Sequence, residues 1–431
     1  VFSDISNFIS SPLTNVGNTT KVNIWVRDPA NVYSPNPVPA GLLGSATQYY
    51  TMPNSSSTSG IVDGEIYKTI ISGVDSYSNI GSPLVSSNGG TTTPTGTFFH
   101  GMVDFNFNSI NWCTTMTTTP SAAQFDLYTV ALHEVTHALG FASLINYNGN
   151  SLFGTNYPYY SRYDMFLRKG TTPLITNSGV CSLYNYQFNS ALSPTVITPG
   201  CSASPPTGAG TNSTDCTNSL TYMGNVTVPI YTPICYEAGS SLSHFEDMCY
   251  GPPYGNDLYF VMCNATGQGV NFMKRFLKPE ERTVLCDLGY NVNTTYGSAA
   301  VANGTINYGG SPCPGIQVAG VNDGITNTGT YTHVIPVSTT SLVPNIINND
   351  YNTVAMECLQ IVTGNGTITG ATTTSFNYTP LSQGLHLLRY IPVAANGNRG
   401  NITYIYIYGA GNCTPSPCNI VSNGTFENAT G

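Results

Sequence analysis

His133 and His137 stand four residues apart in Ala131-Leu132-His133-Glu134-Val135-Thr136-His137-Ala138-Leu139-Gly140-Phe141, with Glu134 beside the first. On a helix this spacing places both imidazoles on one face, where they can hold a single metal ion. Glu134 then projects beside the ion, where a carboxylate can take a proton from a bound water. The preceding Gln124–Val130 supplies helix formers and apolar spacing, with Asp126 as an early-turn acid. Gly140 fits as the stop, because glycine accepts the left-handed conformation that ends helices. A buried helix with two chance histidines is the plainer alternative. The chain has only six histidines, which argues against chance clustering.

A third ligand has to come from elsewhere. Of the remaining histidines, His100 precedes the helix and reads as structural, and His333 and His386 lie in what reads as another domain. That leaves His244, in Gly239-Ser240-Ser241-Leu242-Ser243-His244-Phe245-Glu246-Asp247, with Asp247 as the fallback because zinc also accepts carboxylate.

Composition bounds the setting. The 431 residues suffice for two or three domains. Charged residues make up 8%, against about 25% in average soluble proteins. A net charge of −9 with few basic residues argues against nucleic acid and anionic membrane as partners. No apolar run reaches the roughly 20 residues of a membrane span. The start at Val1, without a signal-like segment, reads as a processed or trimmed product. Cys113, Cys181, Cys201, Cys216, Cys235, Cys249, Cys263 and Cys286 precede residue 296, and Cys313, Cys358, Cys413 and Cys418 follow it. Both sets are even, so each part is expected to close its own disulfides in an oxidising compartment. Sequons such as those at Asn225, Asn365 and Asn401 permit glycosylation.

Along the chain, Lys21–Val26 reads as a strand and Gly64–Gly73 as a helix with a glycine stop. A Gly/Thr loop at Gly89–Gly96 leads to a strand within Phe98–Phe107. Residues 143–235 form a long insertion, expected to be irregular and stapled by Cys181, Cys201, Cys216 and Cys235 in pairings that sequence does not choose. Pro279, Glu280, Glu281 and Gly289 mark a short helix near Leu277–Tyr290.

These motifs resemble the metzincin clan of zinc metallopeptidases. Its signature places a third ligand three residues past the glycine turn; here that residue is Ser143, a poor ligand. Leishmanolysin-like metzincins carry an insertion at this point, and the segment around His244 is similar to the third-ligand segment of those proteins and of bacterial extracellular relatives. The resemblance covers roughly residues 20–292. It implies zinc on His133, His137 and His244, with Glu134 as general base. It also implies a methionine turn at Met262, with Met248 as the rival. The implied fold is an α+β domain of twisted mixed sheet, active-site helix and irregular C-terminal subdomain. In such proteins the strand before the helix borders the cleft, so the backbone of Phe99, Gly101 and Val103 is expected to pair with substrate.

The chain then divides as 1–296 for the zinc peptidase domain, 297–315 for a linker, 316–410 for an all-β sandwich and 411–431 for a second linker. Short alternating runs such as Thr332–Val337 and Ile402–Tyr408 give the sandwich an immunoglobulin or cadherin-like look. Asn419–Glu427 resembles the start of a further jelly-roll module. Asp323 and Asp350 read as solvated turn acids, with a calcium site as the alternative.

The expected function is a secreted or cell-surface zinc endopeptidase acting on protein or peptide substrates, with C-terminal modules for surface or glycan association. The other reading is a non-catalytic adhesion protein that keeps the zinc site as scaffold. No G-x-S-x-G elbow, P-loop or dinucleotide fingerprint competes. The uncharged segments beyond Met262, with Lys274 and Arg275 as exceptions, suggest preference for apolar or small residues after the cleaved bond.

Overall fold

A computed structural model describes residues 1–10, 21–28, 41–51, 60–72, 84–86, 91–92, 99–154, 159–177, 181, 186–198, 220–247, 249, 258–297, 305–307, 313, 318–325 and 330–411. Most of the Gly89–Gly96 loop, Met248, Cys201, Cys216, Cys413, Cys418, much of the 297–315 linker and the Asn419–Glu427 run lie outside them. The fold is α+β, and among the described residues no helix is long and apolar enough to cross a membrane.

The first part is built on a five-stranded mixed sheet. Its strands are β1 (Ile24–Arg27), β2 (Gly44–Thr51), β3 (Leu84–Ser86), β4 (Thr91–Thr92) and β5 (Gly101–Phe105), in spatial order β1-β5-β2-β3-β4. Helices α1 (Phe2–Phe8), α2 (Glu65–Ser72), α3 (Leu127–Ala138) and α4 (Pro279–Leu288) accompany it. On α3, Val130 and Ala131 pack with Val103 and Phe105 of β5, while Leu132, Val135 and Ala138 enter the main core. Apolar residues on both flanks bury the helix, so its axis is fixed by packing and not by propensity alone.

β5 is an interior strand, and the expected edge is not there. Ile24 to Arg27 pair in parallel with Gly101 to Asp104, and Gly44 to Gln48 pair antiparallel with Phe105 to Gly101. With neighbours on both sides, Gly101 and Val103 have no free backbone edge to offer a substrate strand. Phe99 stacks on Trp25, ring centroids 5.4 Å apart. Local alternation marks a strand, but its rank in the sheet depends on partners more than fifty residues away. Among the described residues, Gly44–Gln48 of β2 has a strand on one side only, since β3 pairs with Tyr49 to Thr51.

Within the insertion, β6 (Leu167–Lys169), β7 (Thr172–Pro173), β8 (Thr221–Met223) and β9 (Thr227–Pro229) form a sheet ordered β7-β6-β8-β9. The chain leaves it at Ile230, which bridges Phe245. The insertion is thus partly regular, and its last strand leads to the segment that carries His244.

Among the described residues, seven strands form the C-terminal sandwich: β10 (His333–Pro336), β11 (Ser341–Val343), β12 (Ala355–Thr363), β13 (Gly366–Thr369), β14 (Phe376–Pro380), β15 (Gly384–Val393) and β16 (Thr403–Ala410). They form a four-stranded sheet, β10-β16-β15-β12, and a three-stranded sheet, β11-β14-β13. Ile335, Leu388, Tyr390 and Ile405 of the first sheet share a core with Val343, Phe376 and Tyr378 of the second.

The two parts do not separate near residue 296. Ala319, Leu387, Ile391, Ile402 and Tyr404 belong to the same core as Ile61 and Tyr67. An Arg162 guanidinium nitrogen donates to Gly400 O at 3.2 Å, and the Ile402 N–H donates to Asp63 Oδ2 at 3.3 Å. The expectation that cysteines pair only within each part fails, because Cys286 is disulfide-bonded to Cys313. Cys235 and Cys249 are also disulfide-bonded.

Asp323 and Asp350 are not solvated turn acids. They are partly buried and converge on one hydroxyl, with Tyr390 Oη 3.2 Å from Asp323 Oδ2 and 2.9 Å from Asp350 Oδ2. The Asn401 sequon is buried, its amide donating to Gly320 O at 3.0 Å, so this asparagine has no room for a glycan in the folded chain.

Candidate metal centre

Asp126 caps α3, its side chain accepting from the Thr129 N–H at 3.1 Å. Arg275 Nη2 holds the same carboxylate at 2.7 Å from a fully buried position. Gly140 follows the helix with φ +105°, the left-handed turn expected of the stop. Between these ends His133 and His137 project from one face.

His244 joins them. The Nε2 atoms of His133 and His137 are 3.0 Å apart, those of His137 and His244 3.0 Å, and those of His244 and His133 3.2 Å. Each Nδ1 faces a backbone carbonyl: His133 that of Val261 at 2.8 Å, His137 that of Phe141 at 2.7 Å and His244 that of Ser240 at 2.7 Å. A carbonyl only accepts, so each Nδ1 carries the ring proton and each Nε2 presents a lone pair. Three lone pairs converging at this distance repel one another unless a cation lies between them. Burial lowers all three basicities, His137 to about 4 and His244 to about 3; at His133 the charges of the other two histidines add to burial. Neutral imidazoles oriented by hydrogen bonds to backbone carbonyls are the form that binds a metal. The cluster could hold one.

Glu134 lies outside the triad of ligands. It is buried, and burial followed by the charge of Asp104 pushes it up to about 8. Asp104 is itself ion-paired with Arg27. Glu134 abuts Gly44 of β2, where an added methyl would meet Oε1 at 2.9 Å and the Asp104 carbonyl oxygen at 2.9 Å.

The remaining sequence candidates have structural work. Asp247 is buried and accepts from the N–H groups of Tyr259 and Phe260 at 2.9 and 3.3 Å, so it is not the third ligand. Ser143 donates to Asp164 at 2.6 Å. His100 is buried, with Nδ1 accepting from the Asn23 N–H at 3.0 Å. Met262 is buried beside the centre, its carbonyl accepting from the Phe245 N–H at 2.8 Å. Lys274 and Arg275 are buried, with Lys274 donating to Phe260 O at 2.6 Å, so they do not supply charge to a cleft wall.

Sequence reasoning missed Glu281 as a support of the centre. Its carboxylate accepts from the Met262 N–H and from the Lys278 N–H, both at 2.6 Å. A capping-box pattern at the helix start signals the second contact but not the first. Gly44 and Asp104 were likewise missed, because they reach Glu134 only through sheet pairing.

Comparison with known protein families, characterised proteins and solved structures finds no match to this chain.

Proposed function

We propose that this chain is a zinc-dependent endopeptidase of metzincin type. The observation that carries the reading is the set of three neutral imidazoles, each with its Nδ1 proton committed to a carbonyl, beside a buried glutamate that is not a ligand. Zinc favours tetrahedral nitrogen sites with bonds of about 2.0–2.1 Å, and three protein ligands leave a fourth position open. The metal would supply Lewis acidity to a water and to the scissile carbonyl.

Glu134 takes the proton of the attacking water on a carboxylate oxygen and returns it to the nitrogen of the leaving amine. The narrow space beside Gly44 holds that carboxylate in place. An extended peptide would run along Gly44–Gln48, next to Glu134, through main-chain pairing. Specificity then rests on side-chain pockets, for which the uncharged surroundings suggest apolar or small residues after the cleaved bond.

The disulfide Cys286–Cys313 supports an extracellular setting. The paired C-terminal sheets fit an immunoglobulin or cadherin-like module, packed here as a brace against the peptidase part. The test is elemental analysis of the purified chain together with cleavage of unfolded casein, with and without a chelator. Glu134→Gln should keep the metal and lose several orders of magnitude in turnover. Full activity in that variant, or casein cleavage indifferent to metal removal, would overturn the proposal; a metal-loaded wild type without any cleavage would favour the scaffold reading.

A further inference from the structure

Cys181 lies in the insertion and Cys358 on β12 of the C-terminal sandwich, and both carry free, partly buried thiols. Both pack against the main core. The Cys358 thiol is within hydrogen-bonding reach of the Cys181 thiol. Cys358 reaches it from an uncommon backbone: its φ is +58°, a region that side chains other than glycine rarely adopt. There the register of β12 against β15 slips between Glu357 and Gln360. A bulge re-aims a side chain that would otherwise follow the pleat.

We propose that Cys181 and Cys358 form a disulfide that fastens the insertion to the C-terminal sandwich. The chemistry needs an oxidant, which a small-molecule or protein disulfide supplies. One thiolate of the pair attacks a sulfur of that disulfide and expels a thiolate, forming a mixed disulfide. The second cysteine, on losing its proton, attacks the bonded sulfur and expels the other thiolate. Two thiols are oxidised, one disulfide is reduced to two thiols, and two protons pass to them. Burial, and then the neighbouring Cys181, push the Cys358 thiol up to about 12.

The placement has a consequence for the metal centre. The insertion runs on through β8 and β9 to Ile230 and Tyr231, and the Tyr231 N–H donates to His244 O at 2.8 Å. Anchoring the insertion at Cys181 would steady the strand that holds His244. Together with Cys286–Cys313, the bond would join the two parts of the chain at two separate places. The inference does not depend on the peptidase reading.

The experiment is peptide mapping of the full chain, purified from an oxidising compartment or equilibrated with oxidised glutathione. Thiols are alkylated under denaturing conditions before digestion without reductant. The expected result is a Cys181 peptide linked to a Cys358 peptide, released by reduction with the gain of two hydrogens. Cys181→Ser should leave Cys358 alkylated, and Cys358→Ser should leave Cys181 alkylated, with Cys286–Cys313 intact in both. Finding both cysteines alkylated in the wild type, or either one linked to a different cysteine, overturns the proposal.

Discussion

His133 Nδ1 lies 2.8 Å from the carbonyl oxygen of Val261, the residue before Met262. One short turn therefore orients a ligand ring through Val261 and, through Met262 O and the Phe245 N–H, holds the segment that presents His244. The turn is in turn fixed by Glu281 of α4.

The first prediction follows from that chain of contacts. Glu281→Ala leaves the buried Met262 N–H and the part-buried Lys278 N–H without their acceptor and frees the turn. Loss of such outer-shell support typically costs about 10–100-fold in metal affinity. The measurement is metal competition against a chromogenic chelator, paired with denaturant unfolding. Glu281→Gln, which keeps one accepting oxygen, should lose less. Unchanged metal affinity in the alanine variant would remove Glu281 from this role.

Gly44→Ala is expected to act on Glu134 and not on the metal. The added methyl would come within 2.9 Å of Oε1 and of a backbone carbonyl, and only the side chain can yield. Displacing a reacting group by about 1 Å can cost about 100-fold. Turnover should fall by one to two orders of magnitude while metal content stays stoichiometric. A variant that loses metal and keeps its rate per bound ion would contradict this placement.

How far these positions were legible in sequence varies with how local the signal is. The helix of His133 and His137 and its stop Gly140 are encoded locally and were readable; Asp126 was read as an early-turn acid and is instead the cap. His244 was reachable because histidines are scarce. The substrate edge was misread: β5 shows the alternation of a strand, but nothing local says that β1 and β2 enclose it. Cysteine pairing is equally non-local, and Cys286–Cys313 crosses a boundary that composition alone suggested. Glu281 looked like an ordinary first-turn acid until the fold brought Met262 to it.

Opening Cys286–Cys313 should weaken the whole chain. Closing a loop of 27 residues restricts the unfolded ensemble, an effect of about 3–4 kcal/mol in the chain-entropy picture. Cys286→Ala with Cys313→Ala is therefore expected to unfold at lower denaturant concentration, with a similar slope. The check is equilibrium unfolding followed by metal release, which reports on the first part, and by far-ultraviolet circular dichroism, which also senses the C-terminal sheets. Coincident transitions from the two probes would show that both parts unfold together, as their shared core requires.

The last prediction concerns pH. Tyr390 has one hydroxyl proton and faces two carboxylates, so when both are ionised at least one goes without it. A proton on either acid relieves their repulsion and lets it donate back to Tyr390. Burial first, and then the charge of Asp350, push Asp323 up to about 8; burial pushes Asp350 up to about 7. Both lie above the roughly 3.9 of an unfolded aspartate. The folded state thus binds protons that the unfolded state has released, and stability must fall as pH rises from about 4 through about 8. Asp350→Asn keeps an oxygen for the Val321 N–H and removes the repulsion. The variant should lose less stability than the wild type between pH 5 and pH 8 by the melting temperature of the metal-loaded chain. Because Asp164 and Glu281 are also raised, to about 6 and about 7, only the difference between the two proteins reports on this pair. Parallel curves would mean that Asp323 and Asp350 do not share a proton.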